Sequence, residues 1–352
     1  MRIALVSHAR HPIRPPFAGG LEAHNWHLAH ALRARGHAVT LFASGDSDPD
    51  FPIVPVVRQH VEATHPGREH ADDAALKAHV DAAYDAACAR IGAGDFDIVH
   101  NHSLHRFLPM AARERGWRMV TSLHTPPVGG LEWFIGEALS PRHRVSAASA
   151  HQLRLWWPER VSPFASVVAN GIAIESWPFS AEGDGSAAWS GRILPEKAPH
   201  LALDAARLAG IALRLAGPIE DRAYFEAEIA PRLRNGATYL GALDRASLAG
   251  MLGRASVFLS TPCWPEAFGL AAIEAMSCGL PVAAFDSGAV REVIGEDSGR
   301  YAPAGDTDAL AVAIKAALPL SRRAARRRVE ERFSTGAMLE GYEALYRCVL
   351  GE

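Results

Sequence analysis

Short apolar runs alternate with longer amphipathic stretches along the whole chain. The apolar runs, bounded by turn residues, predict strands buried on both faces, and the stretches rich in Ala, Leu and Arg predict helices. This alternation is typical of parallel sheets flanked by helices. In the first half we predict strands at 2–7, 38–42, 98–100, 118–123, 144–147 and 166–168, and helices at 20–35, 70–91 and 104–115.

The same alternation restarts after a polar, turn-rich segment that follows Asn170-Gly171. Here we predict strands at 187–190, 212–215, 237–240, 257–259 and 281–284, and helices at 197–210, 244–254, 268–278, 306–318, 321–333 and 335–350. A chain of 352 residues is long enough for two domains. We therefore predict an α/β protein with one domain at 1–170 and a second at 171–334.

Composition narrows the class of protein. Hydrophobic residues make up 49% of the chain and charged residues 21%, which is ordinary for a globular protein, and the formal net charge of −3 gives no reason to expect a nucleic-acid partner. No stretch is long and apolar enough to predict stable membrane insertion. The four cysteines are far apart and form no Cys-x-x-Cys pair, so we expect a cytoplasmic protein without a disulfide framework.

Two carboxylates, Glu266 and Glu274, stand eight residues apart around a predicted helix start. Phe268-Gly269 separates the first carboxylate from the Ala-rich helical run, which places the second about two turns inside the helix. The start of a helix carries free N–H groups and partial positive charge, which suit a phosphate. Carboxylates on either side of that phosphate could bind sugar hydroxyls, so the spacing indicates a nucleotide-sugar site.

Two cations, Arg192 and Lys197, follow the predicted strand 187–190 and lie five residues apart. Arginine binds phosphate oxygens as a fork and lysine binds them as a point charge. The pair would stabilise the charge on a departing diphosphate, and no metal would then be required. An ordinary basic loop is the alternative.

In the first half, glycines at a predicted helix start and histidines at predicted strand ends are further candidates for a binding site. Gly19 and Gly20 open the first long helix and would let backbone N–H groups approach an anion, although a flexible turn is an equal alternative. His100 and His102 share one face of a strand, but the sequence offers no third ligand at metal spacing, so we expect no metal. His124 ends another strand and could bind a sugar hydroxyl, relay a proton or be a buried structural residue.

Two further groups of side chains have two interpretations each. A cluster near the C-terminus is either a solvated helix face or a surface for anionic membranes or acidic partners; it consists of Arg322, Arg323, Arg326, Arg327 and Arg328. An aromatic group in the first half either stacks on an acceptor or packs in the core; it consists of Trp133, Phe134, Trp156 and Trp157.

In order along the chain, these motifs resemble the retaining glycosyltransferases of the GT-B fold, family four. The matching segments are 19–22, 97–102, 124, 168–172, 191–197, 265–274 and 342–346. They span nearly the whole chain, and the Glu-x7-Glu block is the most specific of them. One departure is Lys197-Ala198-Pro199, where the family commonly has Lys-Gly, and it could shift the start of the following helix.

The resemblance implies two Rossmann-like domains with parallel sheets that face each other across a cleft. It also implies that the C-terminal helix, 335–352, returns to the N-terminal domain. The N-terminal domain would bind the acceptor, and the C-terminal domain would bind the sugar nucleotide.

Site residues follow from the resemblance position by position. The implied catalytic residues are Glu266, His124, Arg192 and Lys197. The implied donor-binding residues are Gly19, Gly20, Arg192, Lys197, Gly241, Glu266, Phe268, Gly269, Leu270 and Glu274. We expect acceptor contacts from His100, His102 and Trp133, no metal ligands, and no cofactor besides the donor substrate.

The implied reaction moves a hexose from a nucleotide-diphosphate sugar, a UDP-sugar first of all, to a small-molecule or glycan acceptor. It proceeds with retention of configuration and without a metal. The alternatives are a sugar-nucleotide epimerase or a phosphorylase on the same fold, or an inactive sugar-nucleotide-binding protein. A phosphorylase would be expected to hold pyridoxal phosphate on a lysine, and the chain is poor in lysine.

Overall fold

The computed structural model describes residues 1–67, 73–234 and 236–352. The chain forms two compact units. The first contains residues 1–148, 152–168 and 339–352, and the second contains residues 149–151 and 169–338. The sequence-based division at residue 170 differs from this one by two residues, and residues 149–151 and 335–338 group with the second unit.

The first unit contains a seven-stranded parallel sheet in the order β3-β2-β1-β4-β5-β6-β7. Its strands are β1 (Arg2–Val6), β2 (Ala38–Ala43), β3 (Ile53–Pro55), β4 (Ile98–Asn101), β5 (Met119–Leu123), β6 (His143–Ala147) and β7 (Ala165–Val167). The helices in this part of the chain are α1 (Gly20–Ala34), α2 (Val61–Thr64), α3 (Ala74–Ala93), α4 (Phe107–Arg115), α5 (Leu131–Ala138) and α6 (Ala150–Trp156).

The second unit contains a six-stranded parallel sheet in the order β10-β9-β8-β11-β12-β13. Its strands are β8 (Ala187–Ser190), β9 (Leu213–Ala216), β10 (Ala237–Tyr239), β11 (Val257–Ser260), β12 (Val282–Phe285) and β13 (Gly299–Ala302). The helices from residue 199 onwards are α7 (Pro199–Ala209), α8 (Arg222–Tyr224), α9 (Arg245–Arg254), α10 (Leu270–Ser277), α11 (Val290–Ile294), α12 (Thr307–Ala317), α13 (Arg322–Arg332) and α14 (Thr335–Leu350).

The apolar runs of the sequence correspond to the buried strands of the two sheets. The central strands are covered on both faces, so nearly every side chain of β1, β8 and β12 is buried. The predicted α/β class with two parallel sheets is confirmed. The predicted helix 70–91 is seen from Ala74 onwards, and its first residues lie outside the described part of the chain.

Several short elements escaped prediction, notably β3, β13, α5, α6 and α11. They are too short for a hydrophobic period to distinguish them from loops: β3 has three residues, and α11 has five. None of the helices in the described residues is long and apolar enough to cross a membrane.

The arginine cluster of α13 fits neither of its two interpretations completely. Arg322 donates hydrogen bonds to the carbonyl oxygens of Ser180, Ala255, Gly253 and Cys278. Arg326 binds the carbonyl oxygens of Trp177 and Ser277, and Arg328 binds those of Val293 and Glu292. These three guanidinium groups therefore satisfy backbone carbonyls inside the second unit, whereas Arg323 and Arg327 are exposed.

Candidate active site

Two loops of the second unit are fastened together beyond the carboxyl ends of β8 and β11, which are adjacent strands. Thr261, at the end of β11, donates its hydroxyl to the carbonyl oxygens of Lys197 (2.9 Å) and Ala198 (3.1 Å). The backbone N–H of Cys263 donates to the carbonyl oxygen of Glu196 over 2.8 Å. These bonds fix the loop that carries Lys197 against the loop that carries Glu266.

A third loop, after β12, holds the backbone at Glu266. The backbone N–H of Ala289 donates to the Glu266 carbonyl oxygen over 2.8 Å, and the Ser287 hydroxyl donates to the Trp264 carbonyl oxygen over 2.5 Å. Gly288 lies between these contacts with φ +65°, and a Cβ there would lie 2.2 Å from the Glu266 carbonyl oxygen. Only glycine fits this approach, so the position of Glu266 depends on three loops.

Lys197 and Glu266 form the centre of the site. Lys197 Nζ lies 2.5 Å from Glu266 Oε2, and the two side chains are 23% and 14% exposed. The indole N–H of Trp264 donates to the same oxygen over 3.3 Å, and Lys197 Nζ lies 5.0 Å from the indole ring centroid. The ammonium therefore has a carboxylate and an aromatic face as neighbours, both of which favour its positive charge.

Arg192 has a carboxylate partner of its own. Its guanidinium donates to Glu220 over 2.9 Å, and the side chains are 45% and 37% exposed. The two loops meet in a short backbone pairing, in which the N–H of Ile193 donates to the carbonyl oxygen of Pro218 over 2.8 Å. Sequence reasoning missed Glu220 and Trp264, although Glu220 follows a Gly-Pro turn after β9 and Trp264 stands two residues before Glu266.

Helix α10 begins directly after the loop that carries Glu266. Gly269 precedes it with φ +94° and ψ 61°, a left-handed conformation that favours glycine. The helix therefore starts at Leu270. The backbone N–H of Ala272 donates to the Gly269 carbonyl oxygen over 3.1 Å, so the N–H groups of Leu270 and Ala271 are the ones suited to an anion. Phe268 is 4% exposed and packs edge-on against Phe333, so its backbone rather than its ring is available to a ligand.

Glu274 lies on the second turn of α10 and is partly buried. Burial raises the pKa of this carboxyl to about 7, and the positive charge of Arg245 opposes part of that shift. A carboxyl group in such surroundings gains from a ligand that donates hydrogen bonds to it. Gly241, also predicted to bind the donor, follows β10 with φ +78°, and its carbonyl oxygen accepts the backbone N–H of Gly217 over 2.9 Å.

The first unit carries the remaining predicted residues near the carboxyl ends of its strands, at the start of α1 and on α5. Gly19 precedes α1, and a Cβ there would lie 3.1 Å from Glu22 Oε2. Glu22 is 4% exposed and its Oε1 lies 2.9 Å from His8 Nε2, so the Gly19-Gly20 turn lies beside a buried carboxylate.

The acceptor-binding role of His100 stays a prediction, and the structure places this residue in the interior of the first unit. Its side chain has no exposed surface, and its two ring nitrogens pair with the Tyr346 hydroxyl (2.7 Å) and the Ser122 hydroxyl (2.9 Å). The ring thus links β4 to the end of α14, and an acceptor would have to break two buried hydrogen bonds to reach it. Trp133, in contrast, is 62% exposed on α5 and stacks edge-on against Phe134 at 5.0 Å.

His102 and His124 come together with a third histidine that the sequence analysis did not select, His24 on α1. His102 Nδ1 lies 2.8 Å from His124 Nε2, and the ligand atoms of all three rings lie within 4.8 Å of one another. Burial lowers the pKa of His24 to about 4 and holds the pKa values of His102 and His124 well below the ordinary value. All three imidazoles are therefore neutral near pH 7.

The second unit thus brings Lys197 and Glu266 into contact, places Arg192 on the same loop as Lys197, and puts Glu274 on the helix that follows Glu266. Cationic side chains and helix N-termini suit a diphosphate, and carboxylates suit the hydroxyl groups of sugars.

Comparison with known proteins agrees with this arrangement. Residues 18–175 match Glycosyltransferase Family 4, and residues 178–332 match Glycosyl transferases group 1. A phosphatidyl-myo-inositol mannosyltransferase of Mycolicibacterium smegmatis is 26% identical over 349 residues, which cover 89% of this chain and 84% of that protein. A D-inositol 3-phosphate glycosyltransferase of the same species is 27% identical, covering 80% of this chain and 75% of that protein.

The fold is also found among solved structures. Anabaena Alr3699/HepE, solved in complex with UDP, superposes with a TM-score of 0.75 at 16% identity, covering 98% of this chain and 99% of that one. The resemblance drawn from the sequence motifs is confirmed. The chain is a glycosyltransferase of the GT-B fold, whose N-terminal half belongs to Glycosyltransferase Family 4 and whose C-terminal half belongs to Glycosyl transferases group 1.

Proposed function

We propose that the protein transfers a hexose from a UDP-sugar to a small-molecule or glycan acceptor, with retention of configuration and without a metal. The observation that carries the proposal is the contact between Lys197 and Glu266 just before the start of α10, with Arg192 on the same loop as Lys197. Binding of UDP by Alr3699/HepE, which has the same fold, supports a uridine nucleotide as the first choice.

In this proposal the two cations bind the donor diphosphate. Arg192 and Lys197 exchange their carboxylate partners for phosphate oxygens, and the first N–H groups of α10 add hydrogen bonds to the same anion. Charge grows on the diphosphate as the sugar leaves, so these groups bind the transition state more strongly than the ground state. No metal ion is needed to stabilise that charge.

The carboxylates orient the two sugars of the donor. Glu266, released from Lys197, accepts hydrogen bonds from hydroxyls of the transferred hexose, and Glu274 accepts them from the ribose. The acceptor attacks from the face that the diphosphate leaves, and a donor phosphate oxygen takes its proton. His124, just after β5, contacts the hexose, and Trp133, which is 62% exposed, contacts the acceptor. His102 has no exposed surface, so no contact with the acceptor is assigned to it.

A thermal-shift panel followed by product analysis tests this function. Among UDP-, GDP-, ADP- and TDP-sugars, a UDP-sugar should raise the melting temperature most, since a ligand stabilises the state that it binds. Nuclear magnetic resonance should then show a product with the anomeric configuration of the donor, formed equally well in EDTA. An inverted product, or transfer that requires added Mg²⁺, contradicts the proposal.

Two variants test the residues. Lys197→Gln and Glu266→Gln should each lower kcat by at least about tenfold, because each removes a group that acts on the departing diphosphate or the hexose. Arg222→Gln is the matched control, since Arg222 forms an ion pair with Glu226 on the surface of the same unit. Wild-type turnover in both site variants would refute the assigned roles.

A further inference from the structure

The three histidines of the first unit form a nearly regular triangle. The ring centroids are 5.4 Å apart for His24 and His102, 5.2 Å for His24 and His124, and 5.0 Å for His102 and His124. Three imidazoles bound to one zinc ion at about 2.0–2.1 Å, with tetrahedral angles between the bonds, also have ring centroids roughly 5 Å apart. The protein thus already holds the rings at the separations of a three-histidine zinc site.

From this geometry we propose that His24, His102 and His124 form a binding site for a borderline-soft divalent cation such as Zn²⁺. The ligands come from three elements, with His24 on α1, His102 just after β4 and His124 just after β5. Imidazole nitrogen is a preferred ligand of Zn²⁺, Cu²⁺, Ni²⁺ and Co²⁺, whereas Mg²⁺ and Ca²⁺ prefer oxygen. Three protein ligands leave the fourth tetrahedral position for water or for a substrate hydroxyl.

The hydrogen bonds of the cluster permit the rings to turn toward a cation. His102 Nε2 is buried and has no hydrogen-bond partner within the described residues, so one ring already has an unsatisfied nitrogen. Among the described residues, the hydrogen-bond partner of His102 Nδ1 is His124 Nε2, at 2.8 Å. A bound cation replaces that single imidazole–imidazole bond with coordination bonds, and the rings need to separate by only a few tenths of an ångström there.

Supporting contacts keep the ring of His24 in place. His24 Nε2 lies 3.4 Å from the Tyr342 hydroxyl, which in turn accepts a hydrogen bond from the Ser122 hydroxyl. Partners of this kind around a metal ligand fix the orientation of its ring. Glu22 lies two residues before His24 on α1 and is buried beside His8, so its negative charge offsets part of the charge that a divalent cation brings.

The site has a consequence for catalysis that rests on the proposed function. His124 cannot coordinate Zn²⁺ and contact the donor hexose with the same nitrogen, so bound Zn²⁺ inhibits transfer. Mg²⁺ does not bind these nitrogens and leaves transfer unchanged. The protein therefore combines metal-independent catalysis with inhibition by zinc.

A direct binding experiment tests the site without reference to activity. The full-length protein, stripped with EDTA and exchanged into a non-chelating buffer, competes with a chromophoric chelator for Zn²⁺. We expect one tight equivalent, and Co²⁺ in its place should give the intense visible bands of a tetrahedral complex. Absence of that tight equivalent, or six-coordinate Co²⁺ spectra, overturns the proposal.

Histidine variants test whether the tightly bound Zn²⁺ ion occupies the three-histidine cluster. His24→Ala and His102→Ala should each lower Zn²⁺ affinity by about 100-fold or more, since even residues that only support a zinc ligand change affinity by about 10–100-fold. His79→Ala, at an exposed histidine of α3, is the control for surface binding and should retain the tight equivalent. Melting curves recorded without zinc show whether each variant is folded, and the wild-type Co²⁺ spectrum tests the site even if one variant does not fold.

Zinc inhibition separates this proposal from the proposed function. If Zn²⁺ binds tightly but does not inhibit sugar transfer, the zinc site is confirmed and His124 has no role in catalysis. Wild-type-like affinity in folded His24→Ala and His102→Ala refutes the site and leaves the transferase function untouched.

Discussion

Replacing Glu220 with glutamine should increase the affinity of the protein for the donor diphosphate. In the free protein Glu220 binds Arg192 over 2.9 Å, with side chains 37% and 45% exposed, so a diphosphate has to compete with this carboxylate. An ion pair exposed to this degree is worth about 0.2–1 kcal/mol. Releasing Arg192 should therefore lower the Kd for UDP by up to about fivefold, since 1.4 kcal/mol corresponds to tenfold.

Isothermal titration calorimetry with UDP measures this change. The gain should shrink between about 0.05 M and 0.5 M salt, because exposed charges are screened. Glu226→Gln is the matched control, since Glu226 pairs with Arg222 over 2.8 Å on the same unit and should leave the Kd unchanged. If Glu220 instead holds Arg192 in its binding position, Glu220→Gln will weaken UDP binding, and the competition argument is then wrong.

Three further changes have expected outcomes. Ala198→Gly should raise the free energy of unfolding, measured in urea, by up to about 1 kcal/mol, because Ala198 has the left-handed φ of +44°. A lower free energy of unfolding in this variant would contradict the claim that Ala198 is strained. In Glu274→Gln, the melting temperature relative to wild type should rise between about pH 5 and pH 8. Burial raises the pKa of Glu274 from 4.5 to about 7, so ionisation of this carboxyl destabilises the folded wild type as pH rises. A melting-temperature difference that does not depend on pH would refute the claim that burial raises this pKa. Tyr346→Phe should lower the free energy of unfolding by about 1–3 kcal/mol, because it leaves a buried nitrogen of His100 unpaired. An unchanged free energy of unfolding in urea would show that this hydrogen bond does not stabilise the fold.

The sheets could be predicted from the sequence because buried parallel strands consist of apolar runs. The second domain shows this best: the strand predicted at 187–190 is β8, residue for residue, and the helix predicted at 335–350 is α14. The edge strand β3 could not be predicted, because it has three residues, of which Ile53 and Val54 are only partly buried and Pro55 is exposed. Edge strands lack the two covered faces that make a central strand apolar.

The contact between Lys197 and Glu266 was anticipated only in part. The motifs placed both residues beyond strand ends, and parallel strands end at the same edge of a sheet. Which strands are neighbours is a property of the topology, and β8 and β11 are adjacent although two strands separate them in sequence. The carboxylate partners of the cations, Glu220 above all, could not be identified because that pairing joins different loops.

The departure at Ala198 illustrates how a fold overrides a local preference. Alanine followed by proline disfavours the left-handed conformation, yet Ala198 adopts φ +44° and ψ 50°, and α7 starts at Pro199. Ala198 is fully buried, and its carbonyl oxygen accepts the Thr261 hydroxyl, so packing and a hydrogen bond hold the strained residue.

Comparing a nucleoside diphosphate with its monophosphate tests the donor site most directly. The account predicts that UDP binds the wild-type protein at least about tenfold more tightly than UMP, because charge-assisted hydrogen bonds from Arg192 and Lys197 to the second phosphate add about 1.5–3 kcal/mol. In the double variant Arg192→Gln, Lys197→Gln this advantage of UDP should disappear. An advantage that persists undiminished in the folded double variant would contradict the claim that these two cations receive the diphosphate.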